Sequence, residues 1–182
     1  ARKYDDLVLI HIDAHTDCYP GSEINTGTTF TLAAEEKLID VESSFHVGAR
    51  GTMHLPGAYD HTRSLGFKVI TGEEVRRLGA VNVAKHLKSL VGSRPVHLCF
   101  DMDYFDPSAA PGVATPTWGG PPVAEVFDLL HSLAGINFVG VDINTLSPSH
   151  DVAGMSAMLA GHTAVIALHL VQIGMGAAET RA

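Results

Sequence analysis

Two apolar runs, each ending in a cluster of aspartates, constrain this chain more than any other feature. Leu7 to Ile12 runs into Asp13-Ala14-His15-Thr16-Asp17. Val96 to Phe100 runs into Asp101-Met102-Asp103-Tyr104-Phe105-Asp106-Pro107. Stretches this apolar and rich in β-branched residues suit strands covered on both faces, as in a parallel sheet. A third run, Phe138 to Val141, ends at Asp142. In open α/β sheets ligands sit beyond the carboxyl ends of the strands, so the acidic groups stand where that rule expects a site.

Helical and extended patterns alternate between these runs. Phe30 to Leu38, Val81 to Leu90 and Val123 to Leu133 show helical spacing, and a last helix is expected from about Met155 to about Ile173. Ser44 to Val47 and Phe67 to Ile70 read as further strands. Thr71 or Gly72 is placed to cap a helix whose first turn carries Glu73 and Glu74. Thr52 to Asp60, Pro107 to Pro122 and Asp142 to Ala153 read as loops. Alternation of this kind predicts a three-layer α/β/α fold with a mostly parallel sheet.

With 182 residues, 46% of them hydrophobic, the chain is of a size to form one domain over residues 1–182 with a sizeable core. A net charge of −8 argues against nucleic acid and favours a cationic ligand or a metal. The two cysteines, Cys18 and Cys99, make no disulfide framework, so a reducing cytoplasm is the expected compartment. No apolar run is read as a membrane span. The chain enters its first strand within seven residues of Ala1, and a segment upstream is the expectation.

Asp13, His15 and Asp17 alternate, as do Asp101 and Asp103, so each set would share one direction on an extended backbone. Four aspartates brought together resist ionisation unless neutralised, and divalent cations supply that neutralisation. Carboxylates with one imidazole suit Mn(II), Fe(II), Mg(II), Zn(II) or Ni(II), and so many carboxylates suit two ions a few ångströms apart. A lone Asp-x-Asp is more often a solvated turn, and a lone histidine more often a hydrogen-bonded loop residue; it is the pairing of the two clusters that points to metal. Asp106 reads as a turn residue, Cys18 as an inert loop thiol and Trp118 as packing under the proline-rich loop. The other histidines are assigned no role.

At these residues the chain resembles the ureohydrolases, the arginase and agmatinase family, and agmatinase-like members more than true arginases. Asp13-Ala14-His15-Thr16-Asp17 is similar to one family signature. Phe100 to Pro107, followed by Pro111-Gly112-Val113-Ala114-Thr115-Pro116 and Gly119-Gly120, is similar to another. The resemblance implies two manganese ions, with Ni(II) as an alternative. Asp13 and Asp101 would each bridge both, His15 and Asp103 would complete one ion, and Asp17 would serve the other. It also implies hydrolysis of a guanidino compound to urea and an amine, Asp17 and Asp101 in catalysis, and a homo-oligomer, a trimer or hexamer. The family's remaining histidine ligand, well upstream in its members, has no counterpart here.

Two departures bear on substrate. Thr26-Gly27-Thr28 stands where the family has His-Gly-Thr, whose histidine passes a proton to the leaving amine. General acid help of this kind contributes ~10²–10⁴-fold. Thr145 stands where the family has a glutamate for the guanidinium, and a neutral side chain gives up a charge-assisted bond. Asp142 and Asn144 are placed to replace it in part. The expected reading is a dimetal amidinohydrolase acting on an agmatine-like substrate, with Thr26, Asp142 and Thr145 facing that substrate. A non-catalytic or regulatory metal-binding subunit is the alternative. A dimetal phosphoesterase fits the carboxylates but lacks a phosphate-cradling glycine loop.

Overall fold

β1 (Val8–Ile12) lies in the middle of a five-stranded parallel sheet, and the strands on its two sides both follow it in the chain. The computed structural model describes residues 3–53 and 55–179. Around β1 stand β2 (Phe45–Ala49), β3 (Lys68–Thr71), β4 (Val96–Asp101) and β5 (Phe138–Asn144), in the order β3-β2-β1-β4-β5. The chain steps outward from β1 to β3, then returns to place β4 on the other side of β1. That reversal opens a crevice beyond the carboxyl ends of β1 and β4, the place where such sheets bind ligands.

Alternation along β1 divides its side chains between two layers. Val8, Ile10 and Ile12 join Val83, Leu87, Leu98, Leu129 and Leu130 in the larger core. This side is covered by α4 (Ala80–Val91) and α5 (Val123–Ser132). Leu9 faces the opposite way, into a smaller cluster with Cys18, Phe30, Phe67 and Cys99, where α1 (Thr29–Glu35) packs. Helices on both faces make the three-layer α/β/α fold predicted from the alternation. Leu98, fully buried, would cost ~2–5 kcal/mol if cut to alanine.

Local chemistry sets most of the boundaries. Thr71 caps α3 (Gly72–Leu78): its hydroxyl accepts from Glu74 N, and Glu74 Oε2 accepts from Thr71 N at 2.8 Å. This reciprocal capping box satisfies two helix-end donors. α4 follows Gly79 and stops at Gly92, as the glycines predict.

Several elements differ from the sequence expectation. α2 (Ala58–Ser64) is a short helix that begins inside the stretch read as loop. α1 ends at Glu35 rather than Leu38. β5 continues past Val141, because Asp142, Ile143 and Asn144 pair in register with Cys99, Phe100 and Asp101. Ladder partners extend a strand whose own sequence has turned polar. Trp118 is 74% exposed, so it does not pack beneath the proline-rich loop.

α6 (Met155–Glu179) is longer than expected. Residues 155–175 reach the length and apolarity of a membrane span, with mean hydropathy 1.5, which qualifies the reading that no such run exists. Ala167 and Leu170 of this helix are buried, Leu170 within the main core, and the helix packs along β5. That packing places it in an outer layer of the sheet.

Candidate metal centre

The crevice beyond β1 and β4 is built by sewing three chain segments together. As the chain leaves β1, Asp13 N donates to Val47 O at 3.0 Å and Ala14 O accepts from Arg50 N at 2.8 Å, tying the first acidic segment to the end of β2. This close approach requires Gly48, at φ +107°, where a Cβ would stand 2.2 Å from the Tyr104 ring. After β4 the chain enters a single 3-10 turn, Met102–Tyr104, which Asp101 caps by accepting from Asp103 N at 2.7 Å.

That turn, and Asp17 at φ 46°, correct the reason given for the clustering. The acidic side chains do not converge because their backbones stay extended. They converge because the turn swings Asp103 back across β1, where its Oδ1 accepts from Ala14 N at 3.2 Å.

Two groups of donors result, and they share Asp13. Asp13, His15 and Asp103 offer ligand atoms all within 4.8 Å of one another, as do His11, Asp13 and Asp17. His15 Nδ1 lies 3.3 Å from Asp13 Oδ1 and 3.0 Å from Asp103 Oδ2. Asp101 stands beside both groups but in neither. Its Oδ2 accepts from the Thr145 hydroxyl. The Asn144 amide, turned with its nitrogen toward acceptors, donates to the same atom at 3.0 Å.

Burial raises the cost of charge throughout the cluster. Asp101 is pushed up to about 9, by burial first and then by the charges of Asp13 and Asp103. Asp17 is pushed up to about 6, again by burial and then by Asp13. Asp13 is held below the usual carboxylate range: burial opposes this, and the charge and hydrogen bond of His11 prevail. For His15 burial also opposes charge, but hydrogen bonds to Asp103 and Asp13 raise it to about 10.

The residues present fit divalent cations. Buried Asp13 and Asp103 meet His15 with donor atoms within 4.8 Å of one another, and carboxylates with imidazole are the set that hard to borderline divalent ions prefer. A cation would remove the mutual repulsion that keeps Asp101 and Asp17 from ionising at their ordinary pKa.

The cluster floors a cavity of about 740 Å³ whose walls include Tyr19, Thr26, Phe30, His97, Asp142 and Thr145. Among the described residues none lining it is Lys or Arg, which suits a cationic guest. Thr26 sits exposed at the rim, in a 3-10 turn Thr26–Thr28 capped by Asn25. Thr145, at φ +65°, lies against Asp101 rather than free in the cavity. The Asp142 carboxylate meets His97 Nε2 at 2.6 Å. Burial works against its charge, but the bond to His97 keeps its pKa below the ordinary range.

The sequence reading assigned no role to several residues that brace this site. Arg50 Nη2 donates to Asp103 O and Thr117 O, each at 2.8 Å, and to Phe105 O at 3.2 Å. Thr115 donates to Asp103 Oδ2 at 2.9 Å, and the Thr117 hydroxyl lies 3.2 Å from His15 Nε2. No local pattern announces these contacts. His11 and His46, to which that reading gave no role, are buried strand residues beside Asp13. Here a signal existed: His11 shares the period-2 face of Asp13.

The sequence profile of the arginase family matches residues 1–171. An agmatinase of Neisseria meningitidis serogroup C is 38% identical over 174 residues, covering 95% of this chain and 53% of the relative. The solved structure of proclavaminate amidino hydrolase from Streptomyces clavuligerus superposes with a TM-score of 0.90 at 33% identity, over 96% of this chain and 59% of that one. Arginase from Bacillus caldovelox superposes with a TM-score of 0.80 at 26% identity, over 95% and 62%. The chain thus spans about half the length of the curated relatives it matches. The profile match over most of the chain and the arginase-like sheet agree: the chain belongs to the arginase family.

Proposed function

We propose that this chain provides the metal-binding and catalytic core of a dimetal amidinohydrolase that converts an agmatine-like guanidino compound to urea and an amine. The observation that carries this reading is the convergence of Asp13, His15 and Asp103 at the sheet's reversal point, with an Asp17 oxygen within the same 4.8 Å of Asp13 and Asp101 alongside. Asp13, His15, Asp17, Asp101 and Asp103 would hold two divalent ions, Mn(II) or Ni(II). Such ions lower the pKa of water and so supply a nucleophile at neutral pH.

The chain's own residues do the rest. Asp17 orients the attacking water toward the guanidinium carbon and takes up its proton at the carboxylate. Thr145 and Asn144 hold the Asp101 carboxylate in one orientation through their hydrogen bonds to Oδ2. Asp142, fixed by His97, adds negative charge to the cavity wall facing the cationic guest. Thr26 at the rim offers a hydroxyl but no titratable acid, so the leaving amine draws its proton from solvent or from Asp17.

One observation favours a second reading, a metal-binding subunit without turnover. Thr145 lies on Asp101 where a substrate-binding carboxylate would be expected. Urea release separates the two, measured with the chain loaded in turn with Mn(II) and Ni(II) over agmatine, guanidinobutyrate, arginine and guanidine. Release from any of them supports the hydrolase. Silence from a chain shown to hold metal supports the subunit.

A further inference from the structure

Behind Asp13 lies a buried polar chain that the mechanism above does not use. His11 stands on β1 and His46 on β2, directly opposite in register, and neither side chain has any solvent exposure. Their Nδ1 atoms are 2.9 Å apart, so one proton lies between them. On its other side His11 Nε2 faces Asp13 Oδ2 at 2.8 Å. Phe30 packs 4.6 Å from His11, and Phe67 packs 4.7 Å from His46, closing the pair in aromatic surroundings.

Within that enclosure neither His11 Nε2 nor Asp13 Oδ2 makes an aligned hydrogen bond to any described residue, and the ion-pair contact at 2.8 Å brings the two together. A buried polar atom left unsatisfied is costly, so each atom is the available partner of the other. The ionised carboxylate only accepts, and His11 therefore presents an N–H through Nε2 whichever charge state the ring holds. Nδ1 is engaged by His46. Both ring nitrogens are then occupied, and His11 has no lone pair left for an ion although it lies within 4.8 Å of the Asp17 donor.

We propose that His46 and His11 form a positioning relay for Asp13, in which His46 fixes the His11 ring and His11 holds Asp13 Oδ2 in one orientation toward the divalent cation site. Both are positioning residues and act on the cation through Asp13. The inference rests on the metal reading above and extends it to the layer behind the carboxylate. Partners of this kind typically contribute 10–100-fold in metal affinity.

The test is Mn(II) affinity and stoichiometry of the chain, read by electron paramagnetic resonance of free Mn(II) and independent of turnover. His11→Phe keeps a ring of similar shape but no N–H, and is expected to weaken binding ~10–100-fold with the number of ions unchanged. His11→Gln, which returns an amide N–H near the position of Nε2, is expected to recover part of that loss, and His46→Phe to weaken binding less than His11→Phe. Affinity of His11→Phe equal to that of the unaltered chain would overturn the relay. So would loss of one whole ion in both His11 variants, which would make His11 a ligand. If His11→Phe fails to fold, imidazole ¹⁵N shifts of the unaltered chain decide: a proton on His11 Nε2 upholds the relay and a bare Nε2 overturns it. No Mn(II) uptake by the unaltered chain overturns both readings, whereas uptake without urea release bears on the reaction alone.

Discussion

Asp13, beneath the floor of the cavity, and Thr26, on its rim, are built in opposite ways. Asp13 is 1% exposed, tied through its own amide to β2, through its carboxylate to the His15 amide, and backed by His11. Thr26 is exposed in a one-turn helix whose hydrogen bonds, such as Thr29 Oγ1 to Thr26 O at 3.1 Å, stay within its own loop. The floor is fixed by strand register and shared by several segments, so a change there propagates. The rim is local, so its residues can be exchanged without disturbing the donors. Within one site, that difference lets the candidate donors keep the spacing that carries the family resemblance while Thr26 on the rim departs from it.

The comparison is tested most severely by Asp101→Ala. Loss of Mn(II) uptake and urea release together is expected, and retention of both would remove Asp101 from the centre. On the rim, Thr26→His is expected to leave Mn(II) affinity unchanged while raising urea release, by as much as the ~10²–10⁴-fold a general acid contributes. A fall in metal affinity in that variant would show that rim and floor are coupled. Thr115→Val removes the hydroxyl that donates to Asp103 Oδ2, and is expected to weaken Mn(II) binding ~10–100-fold with the fold retained.

The smallest effect is a dependence on pH. Asp101 at about 9 and Asp17 at about 6 lie above the ordinary carboxylate value near 4, so the folded metal-free chain holds protons that the unfolded chain releases. His15, raised to about 10, contributes stability that is full below its ordinary value and is lost as pH climbs toward 10. All three shifts have the same sign: with a chelator present, the melting temperature should fall as pH rises from 5 to 9. Metal binding releases these protons, so the gain in melting temperature on adding Mn(II) should grow over the same range. A chelated chain that melts higher at pH 9 than at pH 5 would contradict this electrostatic description.

Much of the layout was legible from local pattern. Apolar runs marked β1 and β4, glycines marked the ends of α4, and Thr71 with Glu74 marked the start of α3. The candidate donors were legible as well, because residues that follow a buried strand in a parallel sheet meet at its carboxyl edge. Less legible were contacts that depend on which strands are neighbours. β5 runs on to Asn144 because β4 offers ladder partners, and Thr115 reaches Asp103 because a long loop folds back over the turn. Trp118 shows the opposite error: a large apolar side chain implied burial, and the loop carries it outward.

The sequence by itself determined the alternating elements, the layers they form and the two acidic segments of the centre, since hydrophobic periodicity and turn residues act over a few positions. Tertiary structure alone decided the strand order that places β4 beside β1, the 3-10 turn that aims Asp103 at Asp13, and the enclosure of His11 with His46. Those features join residues far apart in the chain. The free energy of burying a histidine pair or of turning a carboxylate toward its neighbour arises only when the strands are assembled, so no local pattern encodes it.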